Sequence, residues 1–189
     1  NYRNLKMNKK SNLYTLGICN DETASACLFR SGKLVGAASE ERFSRVKYDN
    51  SFPKQSIDYL LKNFNLKLKN IDHIAYSWVK GFDPELSVKY GKRLNDCIKS
   101  GKQSYKIFQE RMSTELKQDE LKKKEFSKWV KNNLSFKQKK LLRKFYHHEA
   151  HAASAAYLSP FDNGLVLTSD ARGDFESLSI WIFNRKKLN

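Results

Sequence analysis

Apolar positions along the chain recur in two periods. "LYTLGICN" (Leu13–Asn20) reads as a buried strand. In "ASACLFRSGKLVGAASEERF" two alternating runs flank a turn. This predicts a hairpin with strands Ser25–Phe29 and Leu34–Ser39 joined by Arg30-Ser31-Gly32-Lys33. After "SFP", Ile57, Leu60, Leu61 and Phe64 follow at helical spacing, and Pro53 suits a first helical position. "IDHIAYSW" (Ile71–Trp78) alternates again and predicts a strand. "FDP" opens a helical region, with Asp83 as N-cap and Pro84 at N1. That region runs to Asn133, with breaks near Gly91 and Gly101. Within it Leu116, Leu121, Phe126, Trp129 and Val130 form an apolar stripe. A further helix is expected over Phe136–Phe145, and another over Glu149–Leu158, which Ser159-Pro160 ends. "NGLVLTSDARGD" predicts a strand ending in a polar turn, and "SLSIWIFN" a last strand.

This order of strand, hairpin, helix, strand, helices, strand, strand predicts an α/β fold with a mixed sheet. It also suits the first half of an actin/Hsp70/sugar-kinase (ribonuclease H-like) fold. No internal repeat, low-complexity linker or clear domain boundary interrupts it.

The 189 residues suffice for one sizeable core or for part of a larger protein. No apolar run approaches the roughly 20 residues that span a bilayer, and the start "NYRNLKMNKKSN" lacks a signal-peptide core. Cys19, Cys27 and Cys97 are odd in number and form no CxxC pair, as expected of reduced thiols in a cytoplasmic protein. The net charge is +16, and residues 80–146 hold 19 Lys/Arg against 8 Asp/Glu. Such a segment suits either an anionic partner or the solvated faces of long helices. "LKQDELKKKEFSKWVKNN" favours the second, because its Lys residues fill the faces left by the stripe. It has no Arg-rich tract and no recognised RNA-module signature, so nucleic acid is not expected as a partner.

Three of four histidines crowd into "HHEAHAASAAYLSPF". His147 and His151 are four apart, so on a helix they share a face and can chelate one ion. A bare pair at this spacing is as readily two surface histidines, and the spacing does not choose the metal. His148 points elsewhere, as a packing residue or a support to the ligands. The small residues of "AHAASAA" let the helix pack closely on a sheet. Asp170 ends the strand "LVLTSD" before a turn with Gly173, where α/β folds place ligand groups. Glu40 and Glu41 are expected to fix the "EERFSRVKYD" loop by ion pairing.

Four stretches in this order carry a resemblance: "LGICNDETASACLFRSGKLVGAASEERFSRVKYD", "FPKQSIDYLL", "HHEAHAASAAYLSPF" and "LTSDARGD". Together they resemble the N-terminal part of the NodU/CmcH-type carbamoyltransferases, which include the enzyme that carbamoylates tobramycin. The resemblance covers Leu13 to Trp181 and is weakest in the basic middle. It implies that residues 1–12 are a basic extension and 13–189 an incomplete actin-like domain, with a helical insertion over about 82–146. It implies transfer of a carbamoyl group from carbamoyl phosphate, through an ATP-dependent carbamoyl-adenylate, to a hydroxyl of a sugar or natural-product acceptor. ATP, which Mg2+ can accompany, and a divalent metal, Fe2+ in relatives, are the implied cofactors. The metal falls to His147 and His151 with a later Asp beyond Asn189, and the nucleotide to Asp170 and Gly173. Lys47, with Arg45, is placed to meet the substrate phosphate or carbamoyl group.

The chain departs from the family pattern at several positions. Glu22 and Thr23 stand where the family has His-Asp, so Glu22 takes the substrate-facing place with a carboxylate that repels phosphate. Tyr48 follows Lys47 where a His is usual, and Ala171 replaces a glycine of the family's DGxGE turn, with Asp174 as its acid. The adenylate-forming domain is also expected beyond Asn189, so the chain alone is not expected to turn over carbamoyl phosphate. A non-catalytic metal- or nucleotide-binding relative and a basic nucleic-acid-binding or tRNA-modification relative remain alternatives.

Overall fold

The computed structural model describes residues 12–21, 23–78, 92, 95, 96, 99, 104–170, 173, 174, 176–184 and 187–189. Glu22, Asp83, Pro84, Gly91, Cys97, Gly101 and Ala171 lie outside them, and Leu116 lies outside the described side chains. The chain forms two compact units, Asn1–Ala75 with Trp129–Arg143, and Tyr76–Lys128 with Lys144–Asn189.

The first unit begins with an antiparallel meander of β1 (Tyr14–Cys19), β2 (Ser25–Arg30) and β3 (Lys33–Ser39). Its hairpin closes through Ser31 (φ 49°) and Gly32 (φ 82°), the left-handed pair that matches strand twist. β4 (His73–Tyr76) and β5 (Leu142–Lys144) complete a mixed sheet of order β3-β2-β1-β4-β5. Alternation along β1 and β2 buries Leu16, Ile18, Ala26 and Leu28. The short α1 (Glu41–Ser44) precedes α2 (Lys54–Asn63), which lies over β2 and β3 and buries Ile57 and Leu60. Gly36 gives α2 its close approach, since a Cβ there would meet Leu60 Cδ2 at 2.9 Å.

The helix expected over Phe136–Phe145 is a single turn, α4 (Phe136–Lys139), followed by β5. Ser135 and Gln138 form a capping box that starts this turn. Pairing beside β4 then overrides the helical propensity of "LLRK".

In the second unit α3 (Ser104–Asn133), up to Lys128, buries Asp119, Lys122 and Phe126, a spacing of i, i+3 and i+7. Phe126 stacks on Tyr76 at 3.9 Å, and Lys122 Nζ lies 5.8 Å from the Trp78 ring. Leu121, expected in the apolar stripe, is 60% exposed, because five residues before Phe126 put it well off that helix face. The lysines at 117, 123, 124, 128 and 131 are exposed, as expected of a solvated helix. No described helix is long and apolar enough to cross a membrane.

The histidine cluster opens α5 (His147–Leu158), which lies on an antiparallel sheet of β6 (Asn163–Ser169), β7 (Leu178–Asn184) and β8 (Lys187–Leu188). The helix buries His148, Ala152 and Ala156, one seam at i, i+4 and i+8, and the sheet buries Thr168 and Phe183. Small side chains bring the helix axis close to the strands.

Candidate metal centre

His147 and His151 occupy the first and fifth positions of α5, so their rings emerge one turn apart on the same side. Asp170 follows β6 directly, and its backbone N–H bonds Ser177 O at 2.9 Å at the base of the β6–β7 loop. These placements bring three atoms together. His147 Nε2 lies 2.9 Å from Asp170 Oδ2, His151 Nε2 lies 2.9 Å from His147 Nε2, and His151 Nε2 lies 3.3 Å from Asp170 Oδ2. The side chains are 12%, 52% and 35% exposed for His147, His151 and Asp170. The cluster is thus walled on the His147 side, where the Trp78 ring meets the imidazole edge-on at 4.8 Å, and open on the His151 side.

The donor set fits a metal ion. Two imidazole nitrogens and a carboxylate oxygen converge, and each is an atom type that can ligate a metal. Bonds of about 2.0–2.2 Å at tetrahedral or octahedral angles separate ligand atoms by about 2.9–3.5 Å, which matches the three edges. A single proton satisfies only one of these contacts. Two histidines, one carboxylate and an open side occur in ferrous sites and in catalytic zinc sites alike.

His148, the neighbour in sequence, does different work. It is 2% exposed, and its Nδ1 meets Thr168 Oγ1 at 2.8 Å and Ser179 Oγ at 3.2 Å. The ring therefore ties α5 to β6 and β7, as a packing residue beside the ligands. Gly173 lies against it, and a Cβ at that position would collide with His148 Cδ2.

Lys47 and Arg45 belong to the first unit. Both are exposed, and they sit in a loop whose backbone is held at both ends. Glu41 Oε2 accepts the Tyr48 N–H at 3.1 Å, and Arg45 (φ 61°) and Tyr48 (φ 56°) both take left-handed backbone. Hydrogen bonds from Ser44 and Ser51 hold the Asp49 carboxyl below its ordinary range. Lys47 Nζ lies 5.4 Å from the Tyr48 ring. Ion pairing plays a smaller part here than the sequence suggested. Glu41 is 3.9 Å from Arg42 Nε, whereas Glu40 binds no cation through any described contact and caps α2. Among the candidates the structure thus unites His147, His151 and Asp170 and sets Gly173 against His148, while Lys47 and Arg45 are exposed residues of the first unit.

Three acids show roles that local sequence patterns do not carry. Asp170, read from sequence as a nucleotide contact, meets the histidines. Asp174 and Glu40 are buried acceptors for helix N-termini far away in sequence. The spacing of His147 and His151 and the strand-end place of Asp170 were the signals the sequence carried.

Comparison with known proteins places these residues in context. Residues 15–189 match the family described as Carbamoyltransferase N-terminus. An uncharacterised protein of Synechocystis is 32% identical over 84% of this chain and 25% of its own length. The nodulation protein NolNO of Sinorhizobium fredii is 31% identical over 81% of this chain and 20% of its own. An uncharacterised protein of Methanocaldococcus jannaschii is 31% identical over 92% of this chain and 25% of its own. The chain therefore spans about a quarter of the length of the relatives it matches.

Proposed function

This chain belongs to the carbamoyltransferase N-terminus family, and from that membership we propose that it carries the metal-holding part of a carbamoyl-transfer enzyme. In this reading the enzyme moves a carbamoyl group from carbamoyl phosphate, through an ATP-dependent carbamoyl-adenylate, to a hydroxyl of a sugar or natural-product acceptor. The proposed setting is the cytoplasm, and the proposed fold of the complete unit is of the actin type. The observation that carries the reading is the convergence of His147, His151 and Asp170 in a family member.

His147 and His151 would hold a divalent ion through Nε2, with Asp170 Oδ2 as the anionic third ligand. Fe2+ is the proposed ion because the family resemblance implies it; the donor set by itself suits zinc equally. A divalent ion held there would supply Lewis-acid stabilisation to a carbonyl or phosphoryl oxygen. The Trp78 ring against His147 limits water on that flank and keeps the imidazole oriented. In the first unit, Lys47 brings a compact ammonium to the phosphate of carbamoyl phosphate, and Arg45 a planar guanidinium able to bind two of its oxygens. The loop that carries them is already shaped, so its ordering costs less on binding. Glu22 remains the proposed substrate-facing residue, and Asp170 and Gly173 the proposed nucleotide contacts.

Metal content tests the reading. The chain is loaded anaerobically with Fe2+, desalted and assayed for iron, with circular dichroism as the check on folding. His147→Ala and His151→Ala are each expected to lose tight metal binding while keeping the fold. Unchanged iron in both variants removes the metal assignment.

A further inference from the structure

The three candidate ligand atoms come from two elements. His147 and His151 belong to α5, and Asp170 belongs to the loop between β6 and β7. Their separations of 2.9–3.3 Å therefore depend on what fixes the start of α5 against that loop. The loop reaches His147 twice. Asp170 Oδ2 meets its ring at Nε2, 2.9 Å away, and Asp174 Oδ2 accepts its backbone N–H at 2.5 Å.

Asp174 is 1% exposed. A carboxylate so deeply buried needs donors, and the first N–H of a helix offers one at the positive end of the helix dipole. The loop is closed by Asp170 N–H to Ser177 O at 2.9 Å and Gly173 N–H to Glu176 O at 2.8 Å, so both carboxylates hang from one tied turn. Tyr146, the N-cap residue, has no side-chain cap of its own, so this end of α5 is capped from outside the helix.

We infer that Asp174 is a positioning residue for the centre. It holds the His147 backbone so that the ring stays on Asp170. The consequence for metal affinity rests on the metal reading above, whereas the geometry stands without it.

The test uses the 189-residue chain in two states. Without metal, NMR follows the imidazole resonances of His147 and of His73, which lies on β4. With metal, Co2+ titration reads affinity and the visible spectrum of the bound ion. Asp174→Asn is expected to move the His147 ring resonances and leave those of His73 in place. It is also expected to weaken Co2+ about ten-fold and alter its spectrum, as loss of a support to a ligand does. A folded Asp174→Asn chain with parent His147 resonances and parent Co2+ affinity overturns the inference. If the variant does not fold, the unaltered chain decides. Its His147 amide is expected among the slowly exchanging protons, and fast exchange there overturns the inference. If the parent chain binds no Co2+ while Asp174→Asn still shifts the His147 ring, the metal reading fails and the positioning role stands.

Discussion

Each unit lays one helix on one sheet, and the two layers are built from different material. In the first, α2 sets Ile57 and Leu60 against β2 and β3. In the second, α5 sets His148, Ala152 and Ala156 against β6 and β7. Branched aliphatic side chains contribute about 1.5–3 kcal/mol each on burial, whereas alanine contributes far less. The first layer is thus held by apolar area. The second is held by close approach and by polar ties, His148 to Thr168 and Asp174 to the His147 N–H. The chemistry follows the weaker packing: the candidate ligands stand on the helix that buries little, next to a buried polar seam.

The largest effect expected from this contrast is in the first layer. Leu60 is 1% exposed and touches the place where Gly36 leaves room. Leu60→Ala is expected to cost about 3 kcal/mol, from lost transfer energy and the cavity left behind. Chemical denaturation measures it. A loss below about 1 kcal/mol means that α2 is not the apolar anchor described here.

Both helices also share one device. Glu40, 2% exposed, accepts the N–H groups of Gln55 and Ser56 at 2.9 and 2.8 Å and the Ser56 hydroxyl at 2.7 Å. It caps α2 from fourteen or more residues away in sequence, as Asp174 caps α5 from farther still. Glu40→Ala is expected to cost about 2 kcal/mol, because it leaves buried N–H groups without an acceptor. It is also expected to loosen the Lys47 loop that starts at this residue, read as faster proteolysis between residues 41 and 51. Equal loss of stability with an intact loop separates the cap from the loop.

These two layers show what the sequence could and could not tell. The hairpin was legible because Ser31-Gly32 permits the backbone its turn needs, and α2 because Ile57, Leu60, Leu61 and Phe64 repeat at helical spacing. The α/β class and mixed sheet followed from element order. Half the centre was legible, since His147 and His151 are related within one helix by its own geometry. Asp170 was visible as a strand-end acid, but its meeting with the histidines depends on how β6 packs under α5. Glu40 and Asp174 act on helices remote in sequence, so no local spacing announces them. β5 was missed for a related reason: "LLRK" has a helix-compatible composition, and its strand form is settled by a neighbouring strand. Sequence patterns report what one element does to itself, and the site here is made by what one element does to another.

The smallest effect expected sharpens the contrast between the two sheets. Leu16 and Leu28 of the first are fully buried. On the second, Leu165 pairs with Ile182 and Leu167 with Ile180, and these four side chains are 58–76% exposed. Their strands alternate cleanly, with Thr168, Ser179, Trp181 and Phe183 directed to the opposite face from them. Apolar contact between exposed cross-strand neighbours is worth a few tenths of a kcal/mol, up to about 1. Leu167→Lys is therefore expected to change the stability of this chain by no more than about 0.5 kcal/mol, while the matching first-sheet change, Leu28→Lys, prevents folding of the first unit. Paired denaturation curves of the two variants measure the difference. A Leu167→Lys loss as large as that of a core substitution means that this face is covered in solution, and the two sheets are then equivalent in burial.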